Sequence, residues 1–292
     1  MTETELIKIL TRGVPRKHGN LVTGIGDDCS IVRMGKKDIL VSVDSLIEGI
    51  HFPSSPRRKP GSRHWKMWGK KAAAVSLSDI AAMGGKPLFA WIDLSIPKNL
   101  SKKNIRDFYR GFLEMLKKHK TVVAGGNISR SPKNFAASVT VMGEVPKGKA
   151  MLRSNAKPGE TVFISGPVGG DFLRPIPHIK MGQKIRKAGC RCCIDVSDGL
   201  LKDLDHVAQA SKVKIRLYAD RIPHKGPLKK ALTRGEDYVL AFTDKLGTRY
   251  QVPGTPIGTV IKGKPGIEVV DKNGKLLSFS KLGFEHTVAN LS

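Results

Sequence analysis

Four short phrases set aspartates among small or apolar neighbours: Gly26-Asp27-Asp28, Ser42-Val43-Asp44-Ser45, Ser76-Leu77-Ser78-Asp79-Ile80 and Asp195-Val196-Ser197-Asp198-Gly199. A carboxylate in a segment built for close packing is costly unless something compensates its charge. Separated oxygen donors of this kind are what Mg²⁺ requires, since it binds through one or two carboxylates and completes its shell with water and substrate phosphate. The phrases together point to a divalent-metal site that handles phosphate. The chain holds 51 Lys and Arg against 25 Asp and Glu, and 51 − 25 gives a formal charge of +26. Basic groups around such a site favour a polyanionic substrate.

Each phrase has its own local logic. In Asp195-Val-Ser-Asp198-Gly199 a strand gives way to a helix within a few residues, so carboxylates, a hydroxyl and new backbone N–H groups converge. Asp198 serves equally well there as a plain helix N-cap. Asp27 and Asp28 are adjacent acids on a glycine-rich turn, which either hold a cation or face solvent. Asp44 closes an apolar strand, with His51 seven residues on. No Gly-x-x-x-x-Gly-Lys-[Ser/Thr] loop, dinucleotide fingerprint or His-Arg-Asp loop occurs, and no nucleophile is paired with a His base. Direct, metal-assisted transfer is the simplest chemistry.

The elements that must position these residues alternate in type. Apolar runs at 38–44 and 88–96 predict strands. Between them Trp68, Ala72, Val75, Ile80 and Met83 recur near helical spacing, and Gly84-Gly85 and then Pro87 stop the helix. A second helix follows Ser101 as N-cap, with Ile105, Phe108, Phe112, Met115 and Leu116 as its buried stripe. Strands are expected at 121–126 and 135–143, then at 161–165, 191–196, 213–218, 238–242 and 257–261, with a helix from Asp198. At about 150 residues per domain the length predicts two domains, divided in the polar stretch after Val145 into 1–147 and 148–292.

Other function classes lose ground. No apolar run approaches the ~20 residues of a membrane span, and the N-terminus has acids where a signal peptide has bases, so a short helix and a cytoplasmic protein are expected. Cys29, Cys190, Cys192 and Cys193 lack zinc spacing and read as buried thiols. The basic residues are dispersed and aromatics make up 6%, which predicts non-specific, salt-sensitive adsorption to polyanions rather than specific nucleic-acid recognition.

The ordered phrases Gly-Asp-Asp, Ser-Val-Asp-x3-Glu-Gly-x-His-Phe, Leu-Ser-Asp-Ile-Ala-Ala-Met-Gly, Gly-Gly-x-x-x-Arg-Ser, Arg-Ser-x-Ala-x-Pro-Gly, Asp-Val-Ser-Asp-Gly-Leu and Gly-Glu-Asp-Tyr, over about residues 24–243, resemble the thiamine-monophosphate kinase family. The resemblance implies a two-domain α/β (α+β) fold of the aminoimidazole ribonucleotide synthetase-like type, with N-terminal sheets pairing across a homodimer. It implies ATP as co-substrate, thiamine monophosphate as acceptor and Mg²⁺ as cofactor. It assigns Asp27, Asp44, Asp79 and Asp195 to Mg²⁺, with Ser42, Val43, Asn127 and Asp198 as further ligands. Tyr109, Gly126, Asn127, Arg153 and Ser197 would then meet ATP, and His51, Glu236 and Phe284 the thiamine substrate.

Three features depart from the family pattern. Asn127 stands where the family carries Asp, Arg234 stands where it carries Gly, and the stretch between Gly166 and Cys190 is shorter. They leave two other readings to be tested: an ATP-dependent relative with a different acceptor, and a non-catalytic homologue that binds nucleotide or nucleic acid.

Overall fold

The structure, a computed structural model, describes residues 3–53, 62–245 and 253–285. In chain order its elements are α1 (Glu3–Leu10), β1 (Leu21–Thr23), β2 (Ser30–Met34), β3 (Lys37–Ile47), α2 (Ser62–Ala82), β4 (Lys86–Pro97), α3 (Lys102–Lys118), β5 (Val122–Ser131) and β6 (Ala136–Pro146), followed by β7 (Thr161–Ile164), α4 (Ile179–Ala188), β8 (Cys192–Asp195), α5 (Leu200–Ser211), β9 (Lys214–Tyr218), α6 (Leu228–Thr233), β10 (Leu240–Asp244), β11 (Thr255–Ile261) and β12 (Gly266–Val270). The strands form two six-stranded sheets, ordered β1-β2-β3-β6-β4-β5 and β12-β9-β11-β7-β10-β8. Pairing is antiparallel except at β4/β5 and β9/β12. The chain passes from one sheet to the other between Pro146 and Thr161. One buried cluster spans both, joining Leu77, Ile80 and Met83 to Ile185, Cys193 and Phe242.

α2 is the central support. Ala72, Ala73, Ala74, Val75, Leu77, Ile80 and Ala81 are all buried, so apolar residues surround it as in a fully enclosed helix. It crosses α3 at two glycines: a Cβ on Gly69 would lie 1.8 Å from Phe108 O, and one on Gly111 would lie 1.9 Å from Lys66 O. α3 starts where expected, with Asn104 N donating to Ser101 Oγ at 3.2 Å. Its buried stripe includes Phe108, Phe112 and Leu116. β5 forms one edge of the first sheet, and most of its residues are exposed.

Two sequence expectations need correction. The helix expected from Asp198 begins at Leu200. Asp198 N and Gly199 N both donate to Asp203 Oδ2, at 3.0 and 3.1 Å, so a carboxylate inside the first turn satisfies the free amides and Asp198 is not the cap. Gly199, at φ +125, makes the bend. The sequence reading also leaves out β1, α4, α6 and β12. All four cysteines are unpaired and buried, and burial raises their thiol pKa values. Among the described residues no helix is long and apolar enough to cross a membrane.

Candidate active site

The aspartates reach one place from four elements. Asp27 and Asp28 lie on the turn before β2, Asp44 on β3, Asp79 near the C-terminal end of α2, and Asp195 at the end of β8. They line a cavity of about 790 Å³ together with Ser42, Val43, Arg153, Ser197 and Asp198. Carboxylate oxygens of Asp28, Asp79 and Asp195 fall within 4.8 Å of one another. Oδ2 of Asp28, Asp44 and Asp195 is buried without a hydrogen-bond partner. Ser42 Oγ donates to Asp79 Oδ2.

This arrangement strains the ionised state. Burial, then the neighbouring charges of Asp44 and Asp195, holds the Asp79 carboxyl well above its ordinary range. Asp27 is pushed up to about 7 by burial and Asp28, and Asp195 to about 7 by burial and again Asp28. Burial also raises Asp44. A divalent cation would reverse these shifts, because an opposite charge at close range favours the carboxylate form. Orphaned oxygens and an all-oxygen donor set fit Mg²⁺.

The cationic side of the cavity is partly neutralised. Arg153 Nη2 and Nε donate to Asp28 Oδ1, the latter at 3.2 Å, while Arg153 N donates to Asp27 Oδ2 at 3.2 Å. Asp198 pairs with Lys202 at 2.8 Å. Lys202 Nζ also donates to Phe284 O at 2.6 Å, and Phe284 N donates to Asp198 O at 2.8 Å, so the C-terminal segment is fastened to the α5 corner. Phe284 is 45% exposed and lines the cavity mouth.

His51 and Glu236 line the same cavity. Ile47 N donates to His51 Nδ1 at 3.0 Å, which places the proton of a neutral ring on Nε2. Glu236 has φ +61, an uncommon conformation for a non-glycine residue, and its N–H donates to Ser197 O at 2.7 Å. Lys71, with 0% of its side chain exposed, donates to Glu236 Oε1 at 2.5 Å and to His51 O at 2.8 Å. Desolvation lowers the Lys71 pKa despite that partner.

Tyr109, Gly126 and Asn127 do not join the carboxylates. They line a second cavity of about 1260 Å³ between α3 and β5, with Ile92, Leu113 and Ile128. The sequence left Asp28 undecided beside Asp27 and missed Lys71. Asp28 joins the cluster more tightly than Asp27, and only its adjacency to Asp27 signalled it. Lys71 was hidden inside a helix whose pattern reads as core.

Residues 26–145 match the family model of the AIR synthase related protein, N-terminal domain. The chain is 30% identical to the thiamine-monophosphate kinase of Buchnera aphidicola subsp. Acyrthosiphon pisum, with 98% of each chain covered. It is 33% identical to that of Bacillus subtilis, with 83% of each covered. Among solved structures, AaThiL complexed with AMPPCP and TMP superposes with a TM-score of 0.83 at 30% identity, over 98% of this chain and 97% of that one.

Proposed function

This chain belongs to the thiamine-monophosphate kinase family, and from that membership we propose that it transfers the γ-phosphoryl group of ATP to the phosphate of thiamine monophosphate, releasing thiamine diphosphate and ADP. The observation that carries the reading is the convergence of orphaned Asp28, Asp44 and Asp195 oxygens in a cavity that His51, Glu236 and Phe284 also line. The solved relative carries an ATP analogue and TMP, which supports the same pair of substrates here.

Donor and acceptor are both anions, so the main obstacle is charge repulsion as they approach in line. Asp27, Asp28, Asp44, Asp79 and Asp195 would hold Mg²⁺, with Ser42, Val43 and Asp198 as further ligands. When bound, Mg²⁺ would supply positive charge that offsets the repulsion between donor and acceptor. Arg153, braced by Asp28 and joined by Ser197, orients the phosphate chain. Tyr109, Gly126 and Asn127 serve the nucleotide. His51 Nε2–H, its ring held by Ile47 N, and the Glu236 carboxylate, held by Lys71, orient the acceptor, and Phe284 closes over it. A phosphate oxygen is already ionised at neutral pH, so the residues need not remove a proton. We also place the reaction in the cytoplasm, where unpaired thiols such as these four persist.

The test is turnover. Purified protein with ATP, Mg²⁺ and thiamine monophosphate should form ADP and thiamine diphosphate in equal amounts, and a panel of other phosphorylated acceptors should react far more slowly. A folded sample with no turnover above the enzyme-free control would reject the reading, and a clear preference for another acceptor would replace it with a different kinase of the same fold.

A further inference from the structure

Arg234 precedes the acceptor residue Glu236 by two positions. It sits directly after α6 as the C-cap residue, and the turn that follows is firmly held. Gly235 has φ +76 and packs so tightly that a Cβ there would lie 2.5 Å from Ser197 O, while Glu236 N donates to that same oxygen. The root of the Arg234 side chain is therefore fixed between the acceptor residue Glu236 and the Ser197–Asp198 corner of the carboxylate site.

The guanidinium itself has an unusual set of neighbours. Its carbon lies 4.8 Å from the centre of the Phe172 ring, and Lys71 Nζ lies 5.2 Å from the same ring. An aromatic face attracts a cation but leaves the in-plane N–H donors unused. Among the described residues Arg234 forms no ion pair and no hydrogen bond, and its charge is felt by the Asp237 carboxyl and by Lys71. The other cations around the site are occupied: Arg153 by Asp28, Lys71 by Glu236, and Lys202 by Asp198. Arg234 nevertheless lines the cavity. A guanidinium stacked on a ring, half-buried and with its donor edge unclaimed, is a preformed receptor for a planar or tetrahedral oxyanion.

From this we infer that Arg234 is a specificity-determining residue that binds the phosphate of the acceptor. The inference rests on the kinase reading above. The thiazolium ring of the acceptor is itself cationic, so one fixed guanidinium would attract the phosphorylated acceptor and repel the unphosphorylated vitamin. Discrimination would thus come from both signs of the interaction.

The experiment compares binding of thiamine monophosphate and of thiamine by titration calorimetry for the full-length protein and its Arg234→Met, Arg234→Gly and Arg234→Lys variants, alongside steady-state kinetics. Loss of a charge-assisted contact should weaken thiamine monophosphate binding roughly tenfold or more in R234M and R234G. Thiamine binding should hold or tighten, and R234K should keep part of the preference. The kinetic loss should appear in KM for thiamine monophosphate and not in KM for ATP. Equal weakening of both ligands would make Arg234 a mere wall of the pocket and overturn the inference, as would no change in either. If the unsubstituted protein binds the monophosphate selectively but shows no turnover, the kinase reading fails while the role of Arg234 is still decided by the binding ratio.

Discussion

Asp79 is buried in the acidic cavity near both Asp44 and Asp195. Asp79→Asn keeps the shape and removes one charge, so turnover should fall by roughly three orders of magnitude, while the metal-free protein melts no lower than the unsubstituted one. Calorimetric melting with and without Mg²⁺ checks both halves, and a lower melting temperature without metal would contradict the repulsion argument. The pH dependence has a definite sign. Asp27 and Asp195 have carboxyl pKa values of about 7 against an ordinary 3.8. A raised folded-state pKa means that the protonated form favours folding. The contribution is therefore full below about pH 4 and is lost as pH rises through about 7. Without Mg²⁺ the melting temperature should drop between pH 5 and 8. The increment given by Mg²⁺ should grow over the same range, and an increment independent of pH would count against a metal on these groups. Asp44, Asp79 and Asp195 were legible from the sequence because each is a lone charge among small or apolar residues. Asp28 was ambiguous beside Asp27, and Lys71 was not legible because its partners, Glu236 and the His51 carbonyl, come from distant segments.

The elements that hold these residues are fixed largely by close backbone contact. α2 brings Asp79 and Lys71 to the site, and its place depends on the Gly69/Gly111 crossing with α3, where an added Cβ would meet backbone at under 2 Å. Gly111→Ala must push the helices apart or unfold them. The expected cost is about 1–3 kcal/mol or more, read as a lower urea midpoint, with an accompanying loss of activity because Asp79 moves with α2. A midpoint equal to that of the unsubstituted protein would disprove the crossing. The amphipathic stripe and serine cap of α3 made that helix readable from the sequence, as did the apolar spacing of α2. α4 was not readable. Only Ile179, Gly182 and Ile185 of its ten residues are buried, and Gly182 is there for a tertiary reason, a Cβ position 2.0 Å from Ala81 O. The start of α5 was misplaced by two residues because the capping carboxylate, Asp203, lies downstream of the residues that it caps.

At the scale of the whole molecule, the residues assigned to the nucleotide fall into two separate cavities. Arg153 and Ser197 line the carboxylate cavity, whereas Tyr109, Gly126 and Asn127 line the one beside β5. β5 is also an edge strand with exposed Val122 and Ile128, a surface that invites pairing. A homodimer joined through the first sheets would cover that edge and could set the β5 cavity of one copy against the carboxylates of the other. Complementation tests this arrangement. Asp79→Asn and Tyr109→Ala proteins should each be nearly inactive alone. After joint unfolding and refolding in equal amounts, about half of the dimers are mixed and each contains one site free of both substitutions. Activity should then recover to about a quarter of that of the unsubstituted dimer. Recovery above the sum of the separate proteins would require subunits that share a site. A sedimenting dimer with no recovery would confine each site to one chain, so that the β5 cavity would have to reach the phosphates from within its own subunit.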